Sequence, residues 1–222
     1  MARLVAELFC AKGILPGCGF IETKKADLVD RYVGGSARNT AQIIQKLLDQ
    51  GGGVLFIDEA YGLGSGSGKT GSGGDFNADV IETLIKGMED FRDRICVIFA
   101  GYAKNGAYDS SGKNMESFLE SNPGLKRRIS YTIEFPDYTP EEQMQILRSY
   151  INRIGYYISE DHLRDISEQI NRHIIPDNAG GIRTLLEHAE DNQAVRIHKG
   201  ANHRDLLARD FDFNGYPEQL EN

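Results

Sequence analysis

The residues best suited to chemistry are Asp58 and Glu59, adjacent acids that close the apolar run Val54-Leu55-Phe56-Ile57. A buried strand ending in paired acids is the form of a Walker B element in nucleotide hydrolases. There the first acid, Asp58, holds the shell of a Mg²⁺ that bridges the β- and γ-phosphates. The second, Glu59, orients and polarises the attacking water as a general base. Taken alone, four apolar residues and two acids suit a strand that ends in a solvated acidic turn equally well.

A second candidate follows at once in Gly62–Gly74, "GLGSGSGKTGSGG". Its Gly68-Lys69-Thr70 looks like the tail of a phosphate-binding loop, which needs Gly-x4-Gly-Lys-[Ser/Thr] between a strand and a helix. Counting back five from Gly68 gives Leu63, so the spacing fails by one residue. Gly71-Ser72-Gly73-Gly74 then stands where a helix should open, and glycine runs oppose helices. Seven of the thirteen residues are glycine and three are serine, the composition of a flexible linker. The stretch reads as an insert.

The elements that must carry the acids can be traced from periodicity. Leu4, Val5, Leu8 and Phe9 recur at helical spacing from the start of the chain. A loop over Gly13–Gly19 precedes a short strand in "FIETKKADL". Ile43, Ile44, Leu47 and Leu48 stripe a second helix, stopped by Gly51-Gly52-Gly53. "VLFI" is a buried strand of the parallel kind. Val80, Ile81, Leu84, Ile85 and Met88 mark another helix, "ICVIFAGY" (Ile95–Tyr102) a second buried strand and "ISYTIEF" (Ile129–Phe135) a third. This alternation predicts a parallel α/β sheet.

Beyond Pro136 the pattern turns helical. Thr139-Pro140-Glu141-Glu142 supplies an N-cap, a proline at the first helical position and acids in the first turn. Three helices follow, striped by Leu147, Tyr150, Ile151 and Ile154, by Leu163, Ile166 and Ile170, and by Ile182, Leu185, Leu186 and Ala189. A boundary near 136–139 therefore separates an α/β domain from a small helical one, with a polar tail from about 203 onward.

Composition narrows the function class. A net charge of −8 gives no general attraction to nucleic acid or anionic membranes. No apolar run approaches the ~18 residues that would span a bilayer. The three cysteines, Cys10, Cys18 and Cys96, are odd in number and widely spaced, and no Cys/His cluster suggests zinc. They read as thiols of a reducing, cytoplasmic compartment.

"YVGGSARNT", "GGVLFIDEAY", "IETLIKGMEDFRDR", "VIFAGY", "SNPGLKRRI" and "IEFPDYTPEE" occur in one order along the chain. Together they resemble the AAA+ ATPases of the CbbX/SpoVK type, which include the rubisco activases of red-lineage bacteria and plastids. The resemblance runs from near Ala2 to near Lys199. It implies an AAA+ P-loop-type parallel sheet over residues 1–136, a helical lid over 137–202 and a C-terminal tail over 203–222. It also implies ATP and Mg²⁺ as cofactors, assembly with like subunits in a ring, and a protein client that the ring remodels.

Carried over by position, the resemblance makes Asp58 and Glu59 the Walker B pair. It makes Tyr32-Val33-Gly34 an aromatic-hydrophobic-glycine pore loop that grips polypeptide, and Arg128 an arginine finger reaching a neighbouring subunit's γ-phosphate. Tyr102 falls near the sensor 1 position, although a tyrosine at a strand end also simply packs. Gly180 stands where the family tends to carry its sensor 2 arginine. Arg183 either takes over that role or is an ordinary surface arginine.

In the family, the helix matching "ARLVAELF" directly follows the phosphate-binding loop and the first strand. The resemblance therefore implies that both are lacking here, and that this chain alone is a weak ATPase of marginal stability. Two functions compete: an ATP-hydrolysing ring subunit, or a non-hydrolysing one that lends Arg128 and its pore loop to complete neighbours. A nucleic-acid role lacks the basic, aromatic-interleaved stripe it would need.

Overall fold

The computed structural model describes residues 1–64, 76–102, 114–197 and 205–218. The chain divides into two compact units, Met1–Glu134 and Phe135–Asn222.

In the first unit, helix α1 (Ala2–Ala11) leads to strand β1 (Gly19–Thr23), the short helix α2 (Lys25–Leu28), helix α3 (Gly35–Asp49) and strand β2 (Gly53–Ile57). A 3₁₀ turn over Ala60–Leu63 follows, then helix α4 (Phe76–Asp90), strand β3 (Ile95–Phe99), and helices α5 (Met115–Ser121) and α6 (Pro123–Lys126). The strands form a parallel sheet in the order β1-β2-β3, in register Phe20↔Val54↔Cys96 and Ile21↔Leu55↔Val97. The parallel sheet expected from the sequence is present.

Side chains alternate between the two faces of a strand, and here the faces differ. Leu55 and Ile57 join Ile44, Leu47 and Leu48 of α3, Val80, Ile81 and Leu84 of α4, and Phe118 and Leu125 in one large core. The opposite face is thinner: Val54 packs with Ala6 and Leu15, and with the partly buried Phe9, Phe20, Cys96 and Ile98. A Cys10–Cys18 disulfide ties the end of α1 to the residue preceding β1. This corrects the reading of all three cysteines as thiols; only Cys96 is free.

A second correction concerns Ile129–Phe135. The segment forms no strand, and Tyr131, Ile133 and Phe135 are exposed, Tyr131 to 87%. A strand requires a hydrogen-bonding neighbour. Among the described residues the sheet ends at β3, with nothing beside this segment to complete a ladder.

The second unit contains α7 (Pro140–Ile154), α8 (Glu160–Arg172) and α9 (Ala179–Ile197). Thr139 caps α7 as its sequence predicts: the Glu142 amide donates to Thr139 Oγ1 and the Thr139 amide to Glu142 Oε2. Leu147, Ile151, Leu163, Ile166, Ile170, Ile182 and Leu185 form the core. The final segment, polar by composition, contributes Leu206, Phe211 and Phe213 to that same core. It is fastened by Arg196, whose Nε and Nη2 donate to Asp210 Oδ1 and Oδ2 at 2.9 and 2.8 Å.

Candidate functional site at the carboxyl edge of the sheet

All three strands end on one edge of the parallel sheet, and in open α/β sheets that edge is where ligands bind. Thr23 closes β1, Asp58-Glu59 closes β2 and Ala100-Gly101-Tyr102 follows β3. The Asp58 amide donates to the Thr23 carbonyl at 3.0 Å, which carries the sheet ladder through to the acids. The Ala60 amide donates to the Ala100 carbonyl at 2.9 Å and anchors the turn to β3. Thr23 itself is buried and donates its hydroxyl to the Phe56 carbonyl.

Asp58 is half-buried and Glu59 exposed. Asp58 Oδ1 accepts the Glu59 amide at 3.0 Å, an arrangement that shapes the turn and leaves Oδ2 without a hydrogen bond among the described residues. Glu59 adopts a left-handed backbone (φ 50°, ψ 41°). Only three non-glycine residues among those described have positive φ, and the other two, Asp177 and Asn178, are of the short polar kind that tolerates it. A glutamate held there sends its side chain away from the strand direction and into solvent beside Asp58.

Tyr102 stands on the same edge, half exposed, with its ring 6.1 Å from that of Tyr61. A β-carbon at Gly101 would come within 2.6 Å of Tyr61 Cδ1, so glycine at 101 is what lets Tyr61 lie against the strand end. Lys25 Nζ donates to the Gly62 carbonyl at 2.7 Å and closes the far side of the 3₁₀ turn. Asp58, Glu59 and Tyr102 are thus brought onto one edge. Residues 65–74 of the glycine-rich stretch, with Lys69 and Thr70, lie outside the described residues.

The loop carrying Tyr32-Val33-Gly34 is a tight turn that presents its apolar side chains outward. Tyr32 is 79% and Val33 82% exposed, and Gly34 takes φ +75° as the N-cap of α3. The turn has a brace that the sequence reading missed. Asp30 Oδ1 accepts the Tyr32 amide, while buried Ser36 accepts the Asp30 amide at 2.9 Å and donates to the Asp30 carbonyl. A β-carbon at Gly35 would fall 2.6 Å from the Asp30 side chain, so the two glycines serve different ends. An Asp two residues before an aromatic and six before a Ser is a local turn signal of the kind readable from sequence.

Arg128 is half-buried and already partnered. Its Nη2 donates to Glu89 Oε2 of α4 at 2.5 Å and its Nη1 to the Gly124 carbonyl at 3.1 Å. Nothing in the local sequence signalled Glu89, which lies 39 positions away. Lys126 and Arg127 are exposed.

Arg183 belongs to the second unit, where its Nε donates to Glu187 Oε1 at 2.8 Å across one exposed turn of α9. Gly180 is exposed, and a β-carbon there would meet only Asp177 Cβ at 3.7 Å. Gly181 differs: its β-carbon would collide with the Pro176 carbonyl oxygen. The position expected to hold an arginine therefore has room for one.

Among the described residues no group of three or more His, Cys, Asp or Glu could hold a metal by itself. A single carboxylate with a free oxygen still fits Mg²⁺, a hard cation that keeps several waters and takes further oxygens from phosphates. No helix of the described residues is long and apolar enough to cross a membrane.

Residues 1–111 match the ATPase family associated with various cellular activities (AAA), and residues 139–219 match the AAA lid domain. Stage V sporulation protein K of Bacillus subtilis (strain 168) is 35% identical over 206 residues, covering 90% of this chain and 59% of that protein. The chloroplastic ribulose bisphosphate carboxylase/oxygenase activase of Cyanidioschyzon merolae is 34% identical over 200 residues, 89% of this chain and 63% of that protein. The ESX-3 secretion system protein EccA3 of Mycolicibacterium smegmatis is 34% identical over 215 residues, 89% of this chain but 32% of that protein. The chain thus spans less than two thirds of each of these relatives.

Proposed function

The chain belongs to the AAA family of ATPases, and from that premise we propose that it works as a ring subunit coupling ATP hydrolysis to the remodelling of a client protein. The observation that carries the reading is the Asp58-Glu59 pair, with Glu59 held in a left-handed turn at the carboxyl edge of a parallel sheet. In this reading Mg²⁺ bound with ATP supplies charge neutralisation at the β- and γ-phosphates. Asp58 Oδ2 is the oxygen available to the shell of that ion. The Glu59 carboxylate orients a water and accepts its proton. Arg128 leaves Glu89 and donates to the phosphate held by the neighbouring subunit, as arginine fingers do. Tyr32 and Val33, exposed on a braced loop, grip an extended segment of the client through apolar contact. The compartment in this reading is the cytoplasm.

A second reading is favoured by one observation in the other unit. Gly180 carries no side chain, and Arg183 is paired with Glu187. A subunit of that kind lends Arg128 to complete neighbours and does not hydrolyse ATP itself.

The test is Mg-ATP turnover by the chain mixed with stage V sporulation protein K, using Glu59→Gln and Arg128→Ala in this chain. Hydrolysis at its own site predicts a loss of 10²-fold or more for its share of turnover with Glu59→Gln. Loss with Arg128→Ala alone, at unchanged Glu59→Gln turnover, selects the lending subunit. If neither variant moves turnover, both readings fail. Binding of fluorescent ATP, run beside Lys69→Ala, separately asks whether Gly62–Gly74 is a linker: abolished binding would make it a phosphate cradle.

A further inference from the structure

We propose that the Cys10–Cys18 disulfide is a redox latch, opened by a dithiol reductant of the thioredoxin class, that controls whether α1 stays docked on the sheet. The proposal stands apart from the ATPase reading and requires no nucleotide.

Little else holds α1. Ala6 is its one buried residue, while Leu4 and Leu8 are exposed. Its partners in the first unit are better seated: α3 buries Ser36, Thr40, Ile44, Leu47 and Leu48, and α4 buries Val80, Ile81, Leu84 and Gly87. Phe9 adds a half-buried contact against Val54, and the remaining ties of α1 are at the surface. Arg3 pairs with Glu22 at 3.2 Å, and its guanidinium lies 4.8 Å from the centre of the Phe20 ring. Exposed ion pairs of this kind contribute little. The covalent tie at the other end of the helix is therefore the dominant restraint.

The bond is also placed where it can be attacked. Cys18 is exposed and Cys10 half-buried, and accessible disulfides are the labile and regulatory ones. Eight positions separate the two cysteines. Opening the bond thus frees the helix end while leaving β1 in its ladder with β2. Cys96, the third thiol of the region, is no competitor: burial pushes its thiol up, so it stays protonated and unreactive.

A thiolate of the dithiol attacks Cys18 Sγ; the Sγ–Sγ bond breaks and Cys10 leaves as a thiolate that takes up a proton. The reductant's second thiol loses its proton and displaces the Cys18 sulfur from the mixed disulfide. The chain gains two electrons and two protons, and the reductant departs as a disulfide. Once α1 is released, the face bearing Val54, Leu15 and Phe20 is uncovered.

The experiment is hydrogen exchange on the whole chain, oxidised and then reduced with thioredoxin under native conditions, with alkylation and mass analysis counting free thiols. The oxidised protein is expected to show one alkylatable cysteine after denaturation and the reduced protein three. On reduction, amides of residues 2–11 are expected to exchange at least ten-fold faster while those of α3 and α4 keep their rates. The Cys10→Ser/Cys18→Ser double variant should match the reduced protein and ignore the reductant. A disulfide that thioredoxin leaves intact overturns the proposal. So does unchanged exchange in α1 after reduction, or an equal acceleration throughout the unit, which would make the bond a general staple.

Discussion

Two segments of this chain invite opposite expectations and meet opposite fates. Ile129–Phe135 alternates apolar and polar residues as a strand should, yet Tyr131, Ile133 and Phe135 lie in solvent. The segment from about 203 reads as a polar tail, yet Leu206, Phe211 and Phe213 sit in the core of the second unit. The difference is the available partner. The first segment has no ladder beside it among the described residues. The second has a groove to fill along α8 and α9 and an arginine to pay its one buried charge. Pattern states what a segment could bury; neighbours decide whether it does.

Substitutions in the two segments should differ sharply in cost. Phe213→Ala should have the largest effect, about 3–4 kcal/mol, because it empties a site between the His173 ring and the core. Chemical denaturation of the whole chain measures it; a loss under about 1 kcal/mol would mean the tail is only laid on the surface. Asp210→Ala comes next. Asp210 is 3% exposed, and its removal leaves the Arg196 guanidinium only the Asp205 carbonyl and leaves the Leu207 amide without its acceptor. Arg196 keeps some contact with water, so about 2 kcal/mol is expected, below the full cost of breaking a buried pair. Ile133→Ser should change stability by less than about 0.5 kcal/mol, as exposed substitutions do. A clear destabilisation there would show that the strand-like segment is paired in solution.

The smallest effect is a pH dependence at the surface of the second unit. Arg148 donates to both oxygens of Glu160, and this hydrogen bonding holds the Glu160 carboxyl below its ordinary range. A lowered folded-state value means the pair contributes above the unfolded carboxylate range and is lost as pH falls through the folded value. Thermal unfolding of Arg148→Ala, followed from neutral to acid pH, should therefore differ from the parent at neutral pH and converge with it in acid.

Most of what was legible in the sequence was local. The Thr139 cap, the stop at Gly51-Gly52-Gly53 and the striped helices each rest on residues within a turn or two of one another, and each is present. The apolar runs at 54–57 and within 95–102 named two strands, because strands of a parallel sheet covered on both faces carry a continuous hydrophobic signature; β2 is nearly all buried and β3 mostly half-buried. Asp58 and Glu59 were findable because they end one of those runs. What escaped the reading was non-local. Glu89 holds Arg128 across 39 positions, Arg196 holds Asp210 across 14, and Cys10 meets Cys18 only because the chain turns back after α1. None of these has a period or a motif to betray it. Arg128 is named by the family resemblance, and its pairing with Glu89 could only come from geometry.

The backbone of Glu59 has a consequence for how this chain can change over generations. A left-handed turn costs a glutamate about 1 kcal/mol or more relative to glycine. Random substitution followed by a screen for foldedness alone should therefore enrich Gly and Asn at position 59. A lineage that retains glutamate is accepting a standing handicap in stability, and only selection for the carboxylate can hold it there. Position 59 would then be a dial on which folding and turnover pull in opposite directions, readable by comparing the residues each screen keeps.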